Sequence, residues 1–415
     1  MLFNLSRDRR GRAATAILSL VLMVQVTAAC SPAANATPPR APSPTAAGST
    51  PTHLVTTTPT PGATEAAFEL FGPLPAAFDD PATLARFQAA LDAGIARGAP
   101  DMIGAVISPR GSWSGAAGVV GFEGRAATPK DEYYVGGISL IITAALAMRL
   151  AEQGKLDLDA PIASYLGDLA VDTNGATVRQ ALAMRSGLAN AGSDATDAIR
   201  ANPARVWALD EIIPWFPAPT TAPGTKYIES GLNYTLVGVA TGAAAKIPFG
   251  QALRTTVLDP VGATRIVHQE ANAPTPKPWA LPTAAHVGAF EPKDYGVGGV
   301  ISCISSVSFS YGYGSLAGDA PSVAEWMWHL FAGDILSKSS LQAMLPGADG
   351  HGLGFKALEF LDSSTVIGQV GSKTGYSAVL AVYPAEETVV VMFVNDLDFA
   401  MEPTMVQLRN IALGR

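Results

Sequence analysis

The side chains that most often bind a catalytic metal have no metal-binding spacing in this sequence. Its five histidines form no HExxH or HxxxH pair, so we expect no catalytic metal and no other cofactor. Its two cysteines, Cys30 and Cys303, are too few for a disulfide scaffold or a cysteine-rich zinc site. Any chemistry would therefore rest on hydroxyl, carboxylate and amine groups.

Composition excludes one class of partner. The chain has 415 residues, a formal net charge of −8, 48% hydrophobic residues and only 15% charged residues. Binding to nucleic acid requires clustered lysines and arginines that neutralise phosphates, and no basic patch is present in the folded part. We therefore expect no nucleic-acid partner, and the length is ample for a large hydrophobic core.

The helices that must position the candidate groups are predicted from apolar spacing. Asp79 or Asp80 can cap a first helix, with Pro81 in its first turn and apolar residues following at helical intervals. Residues 138–153 are apolar on almost every side, which predicts a buried central helix that Gly154 ends. Further helical segments are predicted within 177–250 and at 402–413.

The strands lie near both ends of the folded part. Runs of β-branched and aromatic residues bounded by turn residues predict strands at 102–108, 113–120, 364–369, 376–383 and 388–394. Strands from both ends with helices between them predict one α/β domain, with a sheet built from both ends of the chain and an all-α insertion.

The N-terminus has the pattern of a secretion signal. Four arginines lie among the first twelve residues, and an apolar stretch at 13–29 follows and ends in small residues before Cys30. The sequence Val26-Thr27-Ala28-Ala29-Cys30 resembles a lipobox, which implies a lipoprotein signal peptide at 1–29 and a lipid on Cys30. The alternative is an ordinary signal peptide with a chance cysteine. Either way, we expect secretion across the cytoplasmic membrane, and the lipobox further implies anchoring at the cell envelope.

Residues 30–66 are predicted to be a flexible tether. They are mostly Pro, Thr, Ala and Ser, with Arg40 and Glu65 as their charged residues. Such a composition cannot bury enough apolar surface to offset the entropy lost on ordering. As a random coil the segment would span on the order of 30–35 Å. The folded domain is therefore predicted at 67–415.

Five short stretches of the folded part resemble one known family. In chain order they read EQGKLDLDAP, TVRQALAMRSGL, PGT followed by YTLVG, LDPVGAT and GLGF, at 152–161, 177–188, 223–238, 258–264 and 352–355. They are similar to stretches of serine β-lactamase-like proteins, which include class C β-lactamases, DD-peptidases of the penicillin-binding type and related esterases. The resemblance implies an α/β fold in which helices flank an antiparallel sheet and an all-α region is inserted.

The resemblance also implies a site, and three motifs build it. In S-x-x-K the serine attacks a carbonyl and the lysine helps to remove its proton. In Y-x-N the tyrosine relays a proton, and the backbone beside K-T-G or H-x-G aligns the substrate and completes the oxyanion hole. Counted from the matched stretches, the corresponding positions in this chain are Gly137, Leu140, Glu229, Gly231, Gln369 and Gly371. Glycine cannot be acylated and leucine cannot take a proton, so the acyl-serine route is not available.

Three other groups remain as alternatives. Ser139 lies two residues beyond the nucleophile position, about 200° around a helix, so we expect it to face away from the cleft. Lys373 belongs to a literal K-T-G at 373–375, which the register places in a turn at 372–376. Glu229 is either a base with a raised pKa or a carboxylate bonded to Lys226, Lys373 or the backbone.

Two functions remain open. The first is a non-catalytic family member in which Gly137, Glu229, Gln369 and Ser372 bind a peptidoglycan-like or acyl ligand, or a protein partner, with the amides of Gly137 and Ser372 converging on it. The second is an atypical serine-hydrolase-family enzyme with a rewired site. A structural lipoprotein without a ligand is a third possibility, and the sequence leaves the oligomeric state open.

Overall fold

The structure is a computed structural model that describes residues 69–121, 124–270, 278, 280–281, 303–359, 365–373 and 375–415. The chain divides into one unit at Met1–Thr64 and a second at Glu65–Arg415. The predicted signal peptide at 1–29, the tether at 30–66 and Cys30 lie outside the described residues. Within the described part, no helix is both long enough and apolar enough to span a bilayer.

A seven-stranded antiparallel sheet and a small three-stranded sheet form the β structure. The strands are β1 (Asp101–Ser108), β2 (Gly111–Val120), β3 (Arg125–Ala126), β4 (Tyr133–Tyr134), β5 (Val267–His268), β6 (Leu316–Gly318), β7 (Lys356–Glu359), β8 (Thr365–Lys373), β9 (Tyr376–Tyr383) and β10 (Thr388–Val394). The large sheet has the order β3-β2-β1-β10-β9-β8-β7, and the small one has the order β4-β6-β5. Strands from both ends of the chain therefore meet where β1 pairs with β10, as predicted.

The helices cover both faces of the large sheet and fill the middle of the sequence. They are α1 (Pro81–Ala96), α2 (Ile138–Glu152), α3 (Val178–Leu182), α4 (Ser193–Ala201), α5 (Leu209–Ile212), α6 (Gly231–Ala245), α7 (Phe249–Leu253), α8 (Ile304–Ser310), α9 (Ala320–Ala332), α10 (Lys338–Met344) and α11 (Glu402–Ala412). The predicted fold is confirmed: helices flank an antiparallel sheet, and an all-α region lies between the strand-rich ends.

The period-two alternation of β10 explains how the sheet is covered on both faces. Val390 and Met392 pack in the cluster that contains α1 and α11 residues. Val391 and Phe393 belong to the other core, which contains α2 and α9 residues. Because successive side chains of a strand point to opposite faces, a strand buried on both faces must be apolar throughout, and all seven residues of β10 are buried.

Helix α2 runs through the core, as its composition predicts. Twelve of its residues are buried, and Gly154, with φ +66°, follows its end. The first helix also begins as predicted, because Asp80 accepts a hydrogen bond from the Thr83 amide and Pro81 occupies the first turn.

One boundary prediction was wrong. Strand β8 continues to Lys373, which pairs with Tyr376, so Ser372 and Lys373 belong to the strand rather than to a turn at 372–376. Lys373 therefore ends a strand, its side chain lies outside the described residues, and Thr374 is likewise undescribed. The pairing with β9 extends the strand beyond the apolar run that predicted it.

A buried carboxyl at the start of β1 affects stability. Asp101 is fully buried and accepts hydrogen bonds from the Tyr133 hydroxyl and from the Asn395 amide, the latter at 3.3 Å. Burial raises the pKa of Asp101 from its ordinary 3.8 to about 7, although these hydrogen bonds act in the opposite direction. The folded protein therefore binds a proton at Asp101 that the unfolded chain releases at lower pH.

We expect this proton to be visible in the pH dependence of folding. Its stabilising contribution is complete below about pH 4 and is lost as the pH rises to 7, with a slope of up to about 1.4 kcal/mol per pH unit. Urea unfolding of the wild type and Asp101→Asn between pH 4.5 and 7.5 measures this contribution. The free energy of unfolding of the wild type minus that of the variant should decline as the pH rises. Asp92→Asn, at an exposed carboxylate of α1, is the matched control and should give a much smaller dependence. A difference between wild type and Asp101→Asn that is constant with pH would contradict the assignment.

Candidate ligand-binding cleft

A cavity of about 430 Å³ lies at the N-terminal end of α2, beside β8 and the start of α6. The residues that line it come from both strand-rich ends and from the helical region between them. They are Tyr134, Gly136, Gly137, Leu140, Glu229, Tyr313, Gly314, Lys356, Leu358, Gln369, Val370 and Ser372.

The cavity brings together residues that the sequence places far apart. Gly137, Leu140, Glu229 and Gln369, which correspond to motif positions of the resembling family, all line it, and so does Ser372. Gly231 lies instead in an adjoining second cavity. Gly371 packs on the backbone of the segment before α2.

Gly137, the predicted nucleophile position, has no room for a side chain. A Cβ added to Gly137 would lie 2.3 Å from the carbonyl oxygen of Val370, a backbone atom of β8. A Cβ added to Gly371 would lie 2.2 Å from the carbonyl oxygen of Val135 and 2.8 Å from the Gly137 nitrogen. Strand β8 and the N-terminus of α2 therefore approach each other through glycines, and this approach excludes any side chain at 137.

Leu140 and Gln369, which the sequence analysis assigned to the lysine position and the third motif, both contribute to packing. Leu140 is only 3% exposed and belongs to the main hydrophobic core. The Gln369 side chain is also buried, and its amide nitrogen donates to the carbonyl of Gly354 at 2.9 Å. Its amide oxygen accepts from the Val370 amide at 3.0 Å. Gln369 thus joins β8 to the loop before β7 instead of presenting an ionisable group to the cavity.

Glu229 has a partner that the sequence analysis missed. Its carboxylate accepts a hydrogen bond from the Lys356 ammonium at 2.7 Å, rather than from Lys226 or the backbone, and the side chain of Lys373 lies outside the described residues. Lys356 begins β7, a four-residue strand without a clear alternation of apolar and polar residues, so the sequence carried no signal for it. Its strand pairing with β8 brings it to the cavity.

Ser139 is not positioned to attack a bound ligand. It is buried, it does not line the cavity, and its hydroxyl accepts a hydrogen bond from the Leu316 amide at 3.3 Å. This agrees with the rotation expected for a residue two positions after Gly137 on a helix.

Tyr313 is a cleft residue that the sequence analysis also missed. A Cβ on Gly231 would lie 3.2 Å from the Tyr313 ring, so the ring lies against Gly231, the predicted asparagine position of the second motif. Tyr311, with φ +43°, and Gly312, which packs on the Tyr234 carbonyl, direct this segment into the cleft. The repeated Tyr-Gly pairs at 311–314 were the available signal. Burial raises the pKa of Tyr313, and Glu229 raises it further, so its phenol stays protonated.

A second cavity of about 360 Å³ adjoins the first at Tyr313 and Ser372, which line both. Its walls are mostly apolar or small. The other lining residues are Asn190, Ala191, Gly192, Ala195, Thr196, Ile199, Phe216, Gly231, Thr235, Phe309 and Ser310. Together the two cavities form a cleft with a charged end and an apolar end. No group of metal-ligating side chains occurs among the described residues.

We expect a side chain at 137 to be costly. Gly137→Ala should lower the free energy of unfolding by on the order of 1–3 kcal/mol, because β8 must move away from α2. Gly72→Ala, where an added Cβ meets nothing within 4 Å, is the control and should change little. Urea denaturation of both variants measures the difference. Equal stability of the two variants would contradict this prediction, because it would mean that β8 can move away from α2 with no loss in the free energy of unfolding.

Known proteins resemble the chain in sequence pattern and in fold. A sequence model of the Beta-lactamase family matches residues 85–412. D-amino acid amidase from Ochrobactrum anthropi SV3, complexed with L-phenylalanine amide, superposes with a TM-score of 0.67 at 20% identity, covering 80% of this chain and 98% of that one. D-stereospecific amidohydrolase from Streptomyces sp. superposes with a TM-score of 0.64 at 21% identity, covering 78% of this chain and 97% of that one.

Penicillin binding protein from Bacillus halodurans superposes with a TM-score of 0.63 at 15% identity, covering 78% of this chain and 98% of that one. At such identities the structural matches establish the fold alone. The family match, in contrast, covers nearly all of the folded part. The chain therefore belongs to the β-lactamase family of serine hydrolase-like proteins.

Proposed function

We propose that this protein is a non-hydrolytic member of its family that binds a small acyl- or amino-acid-type ligand in the cleft. The observation that carries the proposal is the contact at Gly137, because the Val370 carbonyl oxygen lies only 2.3 Å from the place that the Cβ of a serine at residue 137 would take. Without a serine there, no acyl-enzyme can form by the family's route.

The shape of the cleft supports binding. A concave site of several hundred Å³ with a few polar groups is typical of small-molecule sites in proteins. The N-terminus of the fifteen-residue helix α2 borders it, and a helix N-terminus favours carbonyl or carboxylate oxygens. Structural neighbours described as D-amino acid amidase and penicillin-binding protein suggest an amino-acid-derived or cell-wall-type ligand.

The alternative, an atypical hydrolase in the same cleft, has weaker support. Of its candidate groups, Ser139 bonds within the core and Glu229 is already paired with Lys356. We also propose that a lipid on Cys30 anchors the protein at the cell envelope after secretion, because the residues before Cys30 resemble a lipobox.

Reactive substrates test the absence of acyl chemistry. We expect no covalent adduct by intact-mass spectrometry after incubation with a fluorescent penicillin, and no turnover of a chromogenic cephalosporin or a generic ester. Ser139→Ala and Glu229→Gln are included to identify a rewired site. An adduct on the wild type, or turnover that either variant abolishes, would favour the atypical hydrolase.

Metabolic labelling tests the anchor. In a bacterial host that processes lipoproteins, we expect radiolabelled palmitate to enter the wild type and Cys303→Ser but not Cys30→Ser. Mass spectrometry of the mature wild type should find a lipid-modified Cys30 at its N-terminus. A mature N-terminus at another residue, or label retained in Cys30→Ser, would refute the anchor and leave an ordinary signal peptide.

A further inference from the structure

A single ion pair supplies the charge in the cleft. Among the described residues that line the two cavities, Glu229 and Lys356 are the charged ones, and their side chains lie 2.7 Å apart. Asp349 and Glu229 both raise the pKa of the nearby Tyr227. The Asp349 carboxylate, however, is already paired with Arg185. Among the described residues, Glu229 and Lys356 are thus the charges that a ligand in the cavity meets.

The two charges are carried by different elements of the fold, and the backbone beside each of them is well bonded. Lys356 begins β7, where it pairs in register with Gly368 of β8. Glu229 precedes α6 in the helical region. Beside it the Ile228 amide donates to the Met184 carbonyl at 2.8 Å, and the Ser230 hydroxyl donates to the Ala189 carbonyl at 2.8 Å. The backbone positions of both charges are therefore fixed before any ligand enters.

The pair itself is weak enough to open. Its side chains are 45% and 26% exposed for Glu229 and Lys356, and exposed ion pairs typically contribute about 0–1 kcal/mol. A ligand with one charge would pair with one side chain and be repelled by the other. A ligand with an ammonium and a carboxylate on one carbon would replace one ion pair by two, and both protein charges would stay compensated.

We propose that Glu229 and Lys356 recognise the α-ammonium and α-carboxylate of a free amino acid whose apolar side chain enters the second cavity. The inference rests on the proposed binding function and deepens it. Tyr313 lines both cavities, and Ala195, Ile199 and Phe309 give the second cavity an apolar wall. An aromatic or branched alkyl side chain fits this wall better than a polar one.

Calorimetric titration of the purified protein with phenylalanine and its analogues tests the proposal. D- and L-phenylalanine are both used, and at least one should bind. Phenylalanine amide lacks the carboxylate, 3-phenylpropanoate lacks the ammonium, and glycine lacks the side chain. We expect each of these to bind at least tenfold more weakly than the preferred phenylalanine enantiomer.

Two variants assign the contacts individually. Glu229→Gln should remove the preference for phenylalanine over 3-phenylpropanoate, because only the ammonium contact is lost. Lys356→Met should remove the preference for phenylalanine over its amide. Asp159→Asn, which breaks an exposed ion pair with Arg179 outside the cleft, is the matched control and should leave all affinities unchanged. If the ion pair is merely structural, Glu229→Gln and Lys356→Met would lower the melting temperature without changing the ratios of the affinities for phenylalanine and its analogues.

The outcomes separate this inference from the proposed function. If no amino acid binds but N-acetyl-D-alanyl-D-alanine does, the amino-acid inference is overturned and the binding function stands. If phenylalanine binds and neither variant changes its selectivity, the assignment to Glu229 and Lys356 is overturned. If nothing binds, the inference also falls, whereas acylation by a β-lactam would overturn the proposed function itself.

Discussion

Strand β8 lies so close to the N-terminus of α2 that glycine is required on both sides of the contact. The Val370 carbonyl faces Gly137, and Gly371 packs on the backbone before the helix. The same contact forms one wall of the cleft, brings Gln369 and Ser372 to it, and leaves no space for a side chain at residue 137. A single backbone approach therefore shapes the cavity and restricts residue 137 to glycine.

Three other residues that the sequence analysis assigned to motif positions contribute to packing. Leu140 fills core volume, and Gln369 bonds the Gly354 carbonyl. Gly231 leaves space against which the Tyr313 ring lies. None of these residues carries a charge that would need compensation in a partly buried site. Among the described residues that line the two cavities, Glu229 and Lys356 are the charged ones, so the cleft is largely uncharged apart from their ion pair.

Rigidity around the cleft comes from the two layers that enclose it. Helix α2 is buried on nearly all sides, and the large sheet is covered on both faces. Close packing of this kind makes backbone positions resistant to small displacements. The ion pair between Glu229 and Lys356 joins two such elements, so the fold sets the backbone positions from which the two side chains extend. Polar recognition can then be specific even though the pair contributes little to stability.

Local patterns in the sequence predicted the family and the order of the main elements, and the family match and the observed elements confirm both. Apolar periodicity predicted α2 and the long strands, and the matched stretches assigned Gly137, Leu140 and Glu229 to motif positions, an assignment that stays a prediction. Such signals lie within a few turns of helix or one strand, so they need no knowledge of distant contacts.

Tertiary structure alone decided what those positions now contact. Lys356 reaches Glu229 across 127 residues of sequence, and it does so because the short strand β7 pairs with β8. Pairing with β9 also carries β8 on to Lys373, and the fold brings Tyr313 against Gly231. Each of these contacts joins segments far apart in the chain, and their free energy depends on packing that no local pattern encodes.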